Sequence, residues 1–230
     1  MAVSPPLVAE RLAVVRSRIE AAGGTSGSVL VVAVTKGFGP DAVDAALAAG
    51  VRDLGESYAD ELVSKSAATA LAEGDATGAP RRWHFLGRVQ RNKVRRLADL
   101  VSLWHGVDRV AAGREIAARA PGAAVLVQLN VSGEAQKFGC GFDDAPALVD
   151  DLRSLGLDVR GLMAVGPTGP PELARPGYRR LARLAERLGL GERSMGMTDD
   201  LEVAVGEGST MVRVGRALFG ARTTTNEVRR

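Results

Sequence analysis

The stretch "VLVVAVTKGFGPDAV", Val29 to Val43, carries the pattern from which the fold is read. Its opening run "VLVVAVT" is apolar or β-branched throughout. A strand with one wet face would alternate polar and apolar residues, so this run reads as a strand covered on both faces. It ends in Lys36, a side chain rarely buried without a partner. The chain then turns through Gly37, Gly39 and Pro40. Pro40 stands where a helix begins, Val43, Ala46 and Leu47 share one face of it, and Gly50 ends it.

The same strand–turn–helix unit recurs along the chain. The runs "VRDLGES", "RWHFLG", "LVSLWHGV", "AAVLVQLNV", "LDVRGLMAV", "RSMGM" and "TMVRVG" fit strands. "DDAPALVDDLRSLG" and "ELARPGYRRLARLAERLG" fit helices, with Pro176 expected to interrupt the second. "ATALAEGDATGAPRR" reads as a polar loop. Eight strands alternating with helices predict a parallel sheet closed as a (β/α)8 barrel of the TIM type, with an open doubly wound sheet as the second option. An amphipathic helix, "MAVSPPLVAERLAVVRSRIE", precedes it. The count consumes the chain, so residues 1–230 are expected to form one domain.

Composition bounds the partners. With 46% hydrophobic and 25% charged residues the chain is of the globular class. No apolar run is long enough to cross a bilayer, and acidic residues in the N-terminal helix argue against a signal peptide. Cys140 is the single cysteine, so no internal disulfide forms, and a cytoplasmic location is expected. A net charge of +3 is too small an excess to argue for nucleic acid, and no membrane partner is expected.

In a barrel of this kind, chemistry gathers at the C-terminal ends of the strands. Lys36, Glu56, His84, His105, Asn130, Met163 and the segments "SMGMT" and "RVGR" fall there. Two readings of Lys36 stand side by side. It pairs with a carboxylate such as Glu56, or its amine is tuned to form a Schiff base. An anion site on the same face would favour the second. "GSTMVRVGRALFG" offers one: barrels often hold phosphate beyond their last two strands, and Gly215 would let backbone approach an anion closely. Ser194 and Thr198 place hydroxyls nearby, although Thr198 is equally an N-cap of the helix "DDLEVAV".

The segments "VVAVTK", "AGVRDLGESYADEL", "WHFLGRVQRNK", "VLVQLNVSGE", "GLMAV" and "RSMGMTDDLEVAVGEGSTMVRVGRALFG" resemble, in order and over nearly the whole chain, the pyridoxal-phosphate homeostasis protein family, single-domain relatives of the alanine racemase barrel. The resemblance implies pyridoxal 5′-phosphate (PLP) as cofactor, held by Lys36 as an internal aldimine. Ser194, Thr198, Gly215 and the backbone of Arg216 would surround its phosphate, and Arg213 would lie beside its pyridine nitrogen. It implies buffering or delivery of PLP, with apo PLP enzymes as partners. Two departures stand out: Ser57 in "GESY" occupies a position where the family reads asparagine, and "GFGP" follows Lys36 in place of a lysine-rich version.

A guanidinium beside the ring nitrogen stays protonated and cannot accept its proton, which leaves the ring a poor electron sink. A racemase also needs a second acid–base group opposite the lysine. Tyr58 and Tyr178 are the only tyrosines, and neither is placed for that role. The expectation is a PLP holder without substantial turnover and with no catalytic residues assigned. The enzyme alternative is an amino-acid racemase or decarboxylase, and the interaction alternative is an RNA- or protein-binding barrel with a vestigial site. The remaining features have ordinary readings. His84 and His105 read as packed or hydrogen-bonded rather than metal-ligating, and "RVQRNKVRRLAD" as a solvated basic helix face. Lys137 reads as a loop lysine on the rim of Lys36, able to take a second aldehyde transiently, and Cys140 as a small residue with no redox task.

Overall fold

The structure, a computed structural model, describes residues 3–25, 27–69, 80–134 and 137–221. Most of the polar loop expected after residue 68 lies outside these. Eight parallel strands close on themselves in sequence order. They are β1 (Leu30–Val34), β2 (Asp53–Glu56), β3 (Arg82–Phe85), β4 (Val101–Val107), β5 (Ala124–Leu129), β6 (Asp158–Ala164), β7 (Glu192–Ser194) and β8 (Met211–Val214), with β8 returning to pair with β1. The helices between them are α2 (Pro40–Ala48), α3 (Ala59–Ala68), α4 (Arg91–Leu97), α5 (Val110–Arg119), α6 (Ala145–Ser154), α7 (Arg175–Arg187) and α8 (Leu201–Gly206), and the short α9 (Arg216–Phe219) follows β8. The closed barrel is therefore the fold, and the open sheet is set aside.

The expected N-terminal helix is α1 (Pro5–Ala21). It buries Val8, Leu12, Val15 and Ile19 at i, i+4, i+7 and i+11, one stripe of a 3.6-residue period. That stripe packs against α2, α8 and α9, so α1 covers the barrel wall where the short helices beside β8 leave it thin. Gly50, at φ +82°, ends α2 as expected. Pro176 does not interrupt its helix. A 3-10 turn over Pro171–Ala174 comes first, and Pro176 sits in the first turn of α7, where a missing N–H leaves no bond unmade.

The period of two along each strand sorts the side chains into two cores. Val31 and Ala33 of β1 face the helices, with Leu54, Trp104, Val125 and Val127. Leu30 and Val32 face inward with Leu103, Ala124, Leu126, Met163 and Met211. The inward series of β1 thus runs 30, 32, 34, and its next member is Lys36. The lysine ends a core strand because it stands at the mouth of the barrel rather than in its wall. Among the described residues no helix is long and apolar enough to cross a membrane.

Candidate functional site

A cleft of about 460 Å³ opens at the C-terminal end of the strands. Buried Val34 enters it at the end of β1 and half-buried Lys36 just beyond, Ser57 beyond β2, Arg213 from β8 and Gly215 just after it. Met163, Val165 and Leu86 give it apolar walls. The turn from Met197 to Asp200, after β7, closes one side beside Arg216.

Arg213 is the buried charge of this site. Its Nη1 donates to the Ser194 carbonyl at 2.7 Å and to Ser194 Oγ at 2.6 Å, and its Nη2 donates to the Ala164 carbonyl at 2.7 Å. These acceptors are all neutral. Burial pulls the guanidinium down from its ordinary value, with the fields of Tyr178 and Asp200 opposing. A guanidinium nevertheless stays protonated, so Arg213 holds a positive charge at the cleft, and among the described residues no carboxylate is hydrogen-bonded to it.

Gly215 lies in the first turn after β8. A Cβ added there would meet the Val34 carbonyl oxygen at 3.0 Å, so glycine keeps the junction of β8 and β1 narrow and the backbone open to the cleft. Arg216 pairs through its side chain with Asp199 across the mouth. Thr198 does not cap the helix it precedes, because Asp200 occupies that position. Its Oγ1 instead accepts the Ala217 N–H at 3.3 Å, tying the turn after β7 to the first turn of α9. Asp200 organises the same turn. Its Oδ1 accepts the Met197 N–H at 2.7 Å, and its Oδ2 accepts the Tyr178 hydroxyl at 2.6 Å. Burial, then the charge of Asp200, pushes the Tyr178 phenol well up.

The cleft brings Lys36, Thr198, Arg213, Gly215 and Arg216 together, and Ser194 is not among the residues that line it. Ser194 is fully buried, faces the barrel interior below the cleft, and spends its hydroxyl on Arg213 and on His105 Nδ1 at 3.1 Å. Its hydroxyl is bonded to the guanidinium of Arg213. Glu56, the carboxylate considered for Lys36, faces outward, fully buried. Its Oε1 accepts from Lys65 Nζ at 2.5 Å and from the Thr35 hydroxyl at 2.8 Å. Tyr58 is exposed at the start of α3.

Lys137 lines the same cleft, its Nζ donating to Glu134 Oε1 and to the Gly166 carbonyl, both at 2.7 Å. Burial pushes the Cys140 thiol up to about 11, which suits an inert cysteine. In α4 Val94 and Leu97 are buried, while Lys93 and Arg96 pair with Asp60 of α3, the ordinary basic-face reading. His84 and His105 are hydrogen-bonded to each other inside the barrel, and the described residues contain no cluster of metal-ligating side chains. The sequence reading missed Asp53, which joins them. Its inward parity with His84 on the neighbouring strand was the available signal.

Residues 9–223 match the family described as the alanine racemase N-terminal domain. A pyridoxal phosphate homeostasis protein of Pseudomonas aeruginosa is 42% identical over 227 residues, covering 94% of this chain and 96% of that protein. A protein of unknown function from Bifidobacterium adolescentis superposes with a TM-score of 0.86 at 32% identity, covering 94% and 95% of the two chains. PipY of Synechococcus elongatus, solved with PLP bound, superposes with a TM-score of 0.79 at 30% identity, covering 93% and 100%.

Proposed function

This chain belongs to the alanine racemase N-terminal domain family, and from that premise we propose that it binds pyridoxal phosphate in the cleft and serves PLP homeostasis, holding the cofactor without useful turnover of amino acids. One observation carries the reading: the first and last strands place a lysine, a buried arginine and a close-packed glycine around one opening.

The residues fit such a group. PLP supplies an aldehyde that captures amines and a ring that withdraws electrons from what it captures. Lys36 is the amine that holds the aldehyde. The backbone at Gly215 and Arg216, with the Thr198 hydroxyl beside it, receives the phosphate. Arg213 faces the ring nitrogen as a donor that cannot accept a proton, which keeps the ring a weak electron sink. Met163, Val165 and Leu86, which give the cleft its apolar walls, would exclude water from the ring. Tyr178 spends its proton on Asp200 and is not poised as a second acid–base group. These two features favour the holding role over a racemase or decarboxylase. Apo PLP enzymes of the cytoplasm are the recipients on this reading.

PLP added to the protein should produce a visible absorbance band that Lys36→Ala lacks, and the loaded protein should reactivate an apo-enzyme. A wild-type protein without the band would overturn the proposal.

A further inference from the structure

Below the cleft the barrel interior is not wholly apolar. A continuous string of polar side chains runs along its axis beside the Val32, Leu103, Leu126 and Met163 core. Arg213 Nη1 lies 2.6 Å from Ser194 Oγ, which lies 3.1 Å from His105 Nδ1. His105 Nε2 lies 2.9 Å from His84 Nδ1, and His84 Nε2 lies 2.9 Å from Asp53 Oδ1. Arg82 closes the far end with two bonds to Asp53, at 2.7 and 2.6 Å. That end borders a second cleft of about 240 Å³ at the N-terminal end of the strands. The four intervening side chains, on β2, β3, β4 and β7, are all buried.

One premise favours a single direction along this string. A guanidinium N–H only donates, so Ser194 Oγ must accept from Arg213. The hydroxyl proton then has His105 Nδ1 as its acceptor. Neutral His105 carries its own proton on Nε2 and donates it to His84 Nδ1, and His84 donates from Nε2 to the acceptor-only carboxylate of Asp53. The reverse order would leave the Ser194 proton facing two donors. The surrounding charges agree. Burial first, with the charge of Arg213 adding to it, drives His105 well below the ordinary histidine value, which keeps it neutral. Burial would raise Asp53, but hydrogen bonds from His84 and Arg82 hold its carboxyl below the ordinary range. Glu192 of β7, raised by burial, is a further titrating group near this string.

We propose that Asp53, His84, His105 and Ser194 form a one-directional hydrogen-bond relay that positions Arg213 toward the cleft, a role that rests on the PLP reading above. The relay fixes both histidines as Nε2–H tautomers and turns a lone pair of Ser194 toward the guanidinium. It anchors Arg213 through neutral groups and keeps the carboxylate of Asp53 at the far end, so Asp53 does not neutralise the guanidinium.

Two experiments test this. Nitrogen-15 NMR of the histidine-labelled full-length protein, which needs no ligand, should show both rings protonated at Nε2 alone. A proton on Nδ1 of either ring would overturn the relay. PLP and its 1-deaza analogue, which lacks the ring nitrogen, are then titrated into wild type, Ser194→Ala and Asp53→Asn. Each variant should weaken PLP several-fold and leave the analogue unchanged, since only PLP uses the nitrogen that Arg213 faces. Equal losses for both ligands, or none for PLP, would overturn the positioning role. Failure of wild type to bind PLP would overturn the proposed function instead, and the histidine spectra would still decide the relay.

Discussion

Lys36 and Lys137 line one cleft from opposite sides of the barrel, Lys36 beyond β1 and Lys137 in the loop beyond β5. The amine of Lys137 is held by Glu134 and the Gly166 carbonyl, each at 2.7 Å. To attack an aldehyde it would first have to leave both. On the proposed reading, borohydride reduction of the PLP-loaded protein, followed by peptide mapping, should recover the pyridoxyl label on Lys36. Label chiefly on Lys137 would reverse the assignment.

Gly215 and Thr198 should differ in cost. A side chain at 215 enters the cleft and presses on the Val34 carbonyl, so Gly215→Val should abolish measurable PLP binding. Thr198→Val removes, on the proposed reading, one hydrogen bond from the Thr198 hydroxyl to the phosphate. That costs on the order of 1 kcal/mol, about five-fold in affinity. Spectral titration of both variants checks the ranking, and unchanged affinity in Gly215→Val would move the phosphate elsewhere.

Tyr178 is read as a support rather than an acid–base group. Tyr178→Phe leaves Asp200 Oδ2 without the phenol proton it accepts at 2.6 Å. Stability in urea should fall by about 1–3 kcal/mol, the cost of stranding a buried acceptor. Chiral analysis of alanine after long incubation should show no Lys36-dependent racemisation in wild type. Several turnovers per second would restore the racemase reading.

Asp53 should shape stability in acid. Its carboxyl titrates below the unfolded value in the fold, the bonds from His84 and Arg82 outweighing burial. A depressed group contributes stability that is present above the unfolded pKa, about 3.9, and lost as pH falls through the folded one. Urea unfolding between pH 7 and pH 3 should therefore show a shallower acid loss in Asp53→Asn than in wild type, starting from a lower value at pH 7. Parallel curves would show that Asp53 carries no proton linkage.

Much of this protein was legible before its tertiary structure. "VLVVAVTK" specifies a doubly covered strand whose inward series ends at Lys36, and eight such units specify a barrel with its chemistry at one end. Local period and turn chemistry suffice for that, since both are written within a few residues. The position of Pro176 was ambiguous locally, because a proline both breaks a helix and begins one.

What the sequence could not determine is which inward residues share a level of the barrel. The family resemblance implied Ser194 beside the phosphate, and only the register of β7 against β8, which sets it opposite Met211, shows its hydroxyl bonded to Arg213. Thr198 looked like a cap for α8, yet closure of the barrel brings it to Ala217. Asp53, His84, His105 and Ser194 come from four strands and meet only once those strands are closed and staggered. Alternation along a strand follows from local backbone geometry. The stagger between strands is set by packing of the whole barrel, and that alone joins these residues to Arg213.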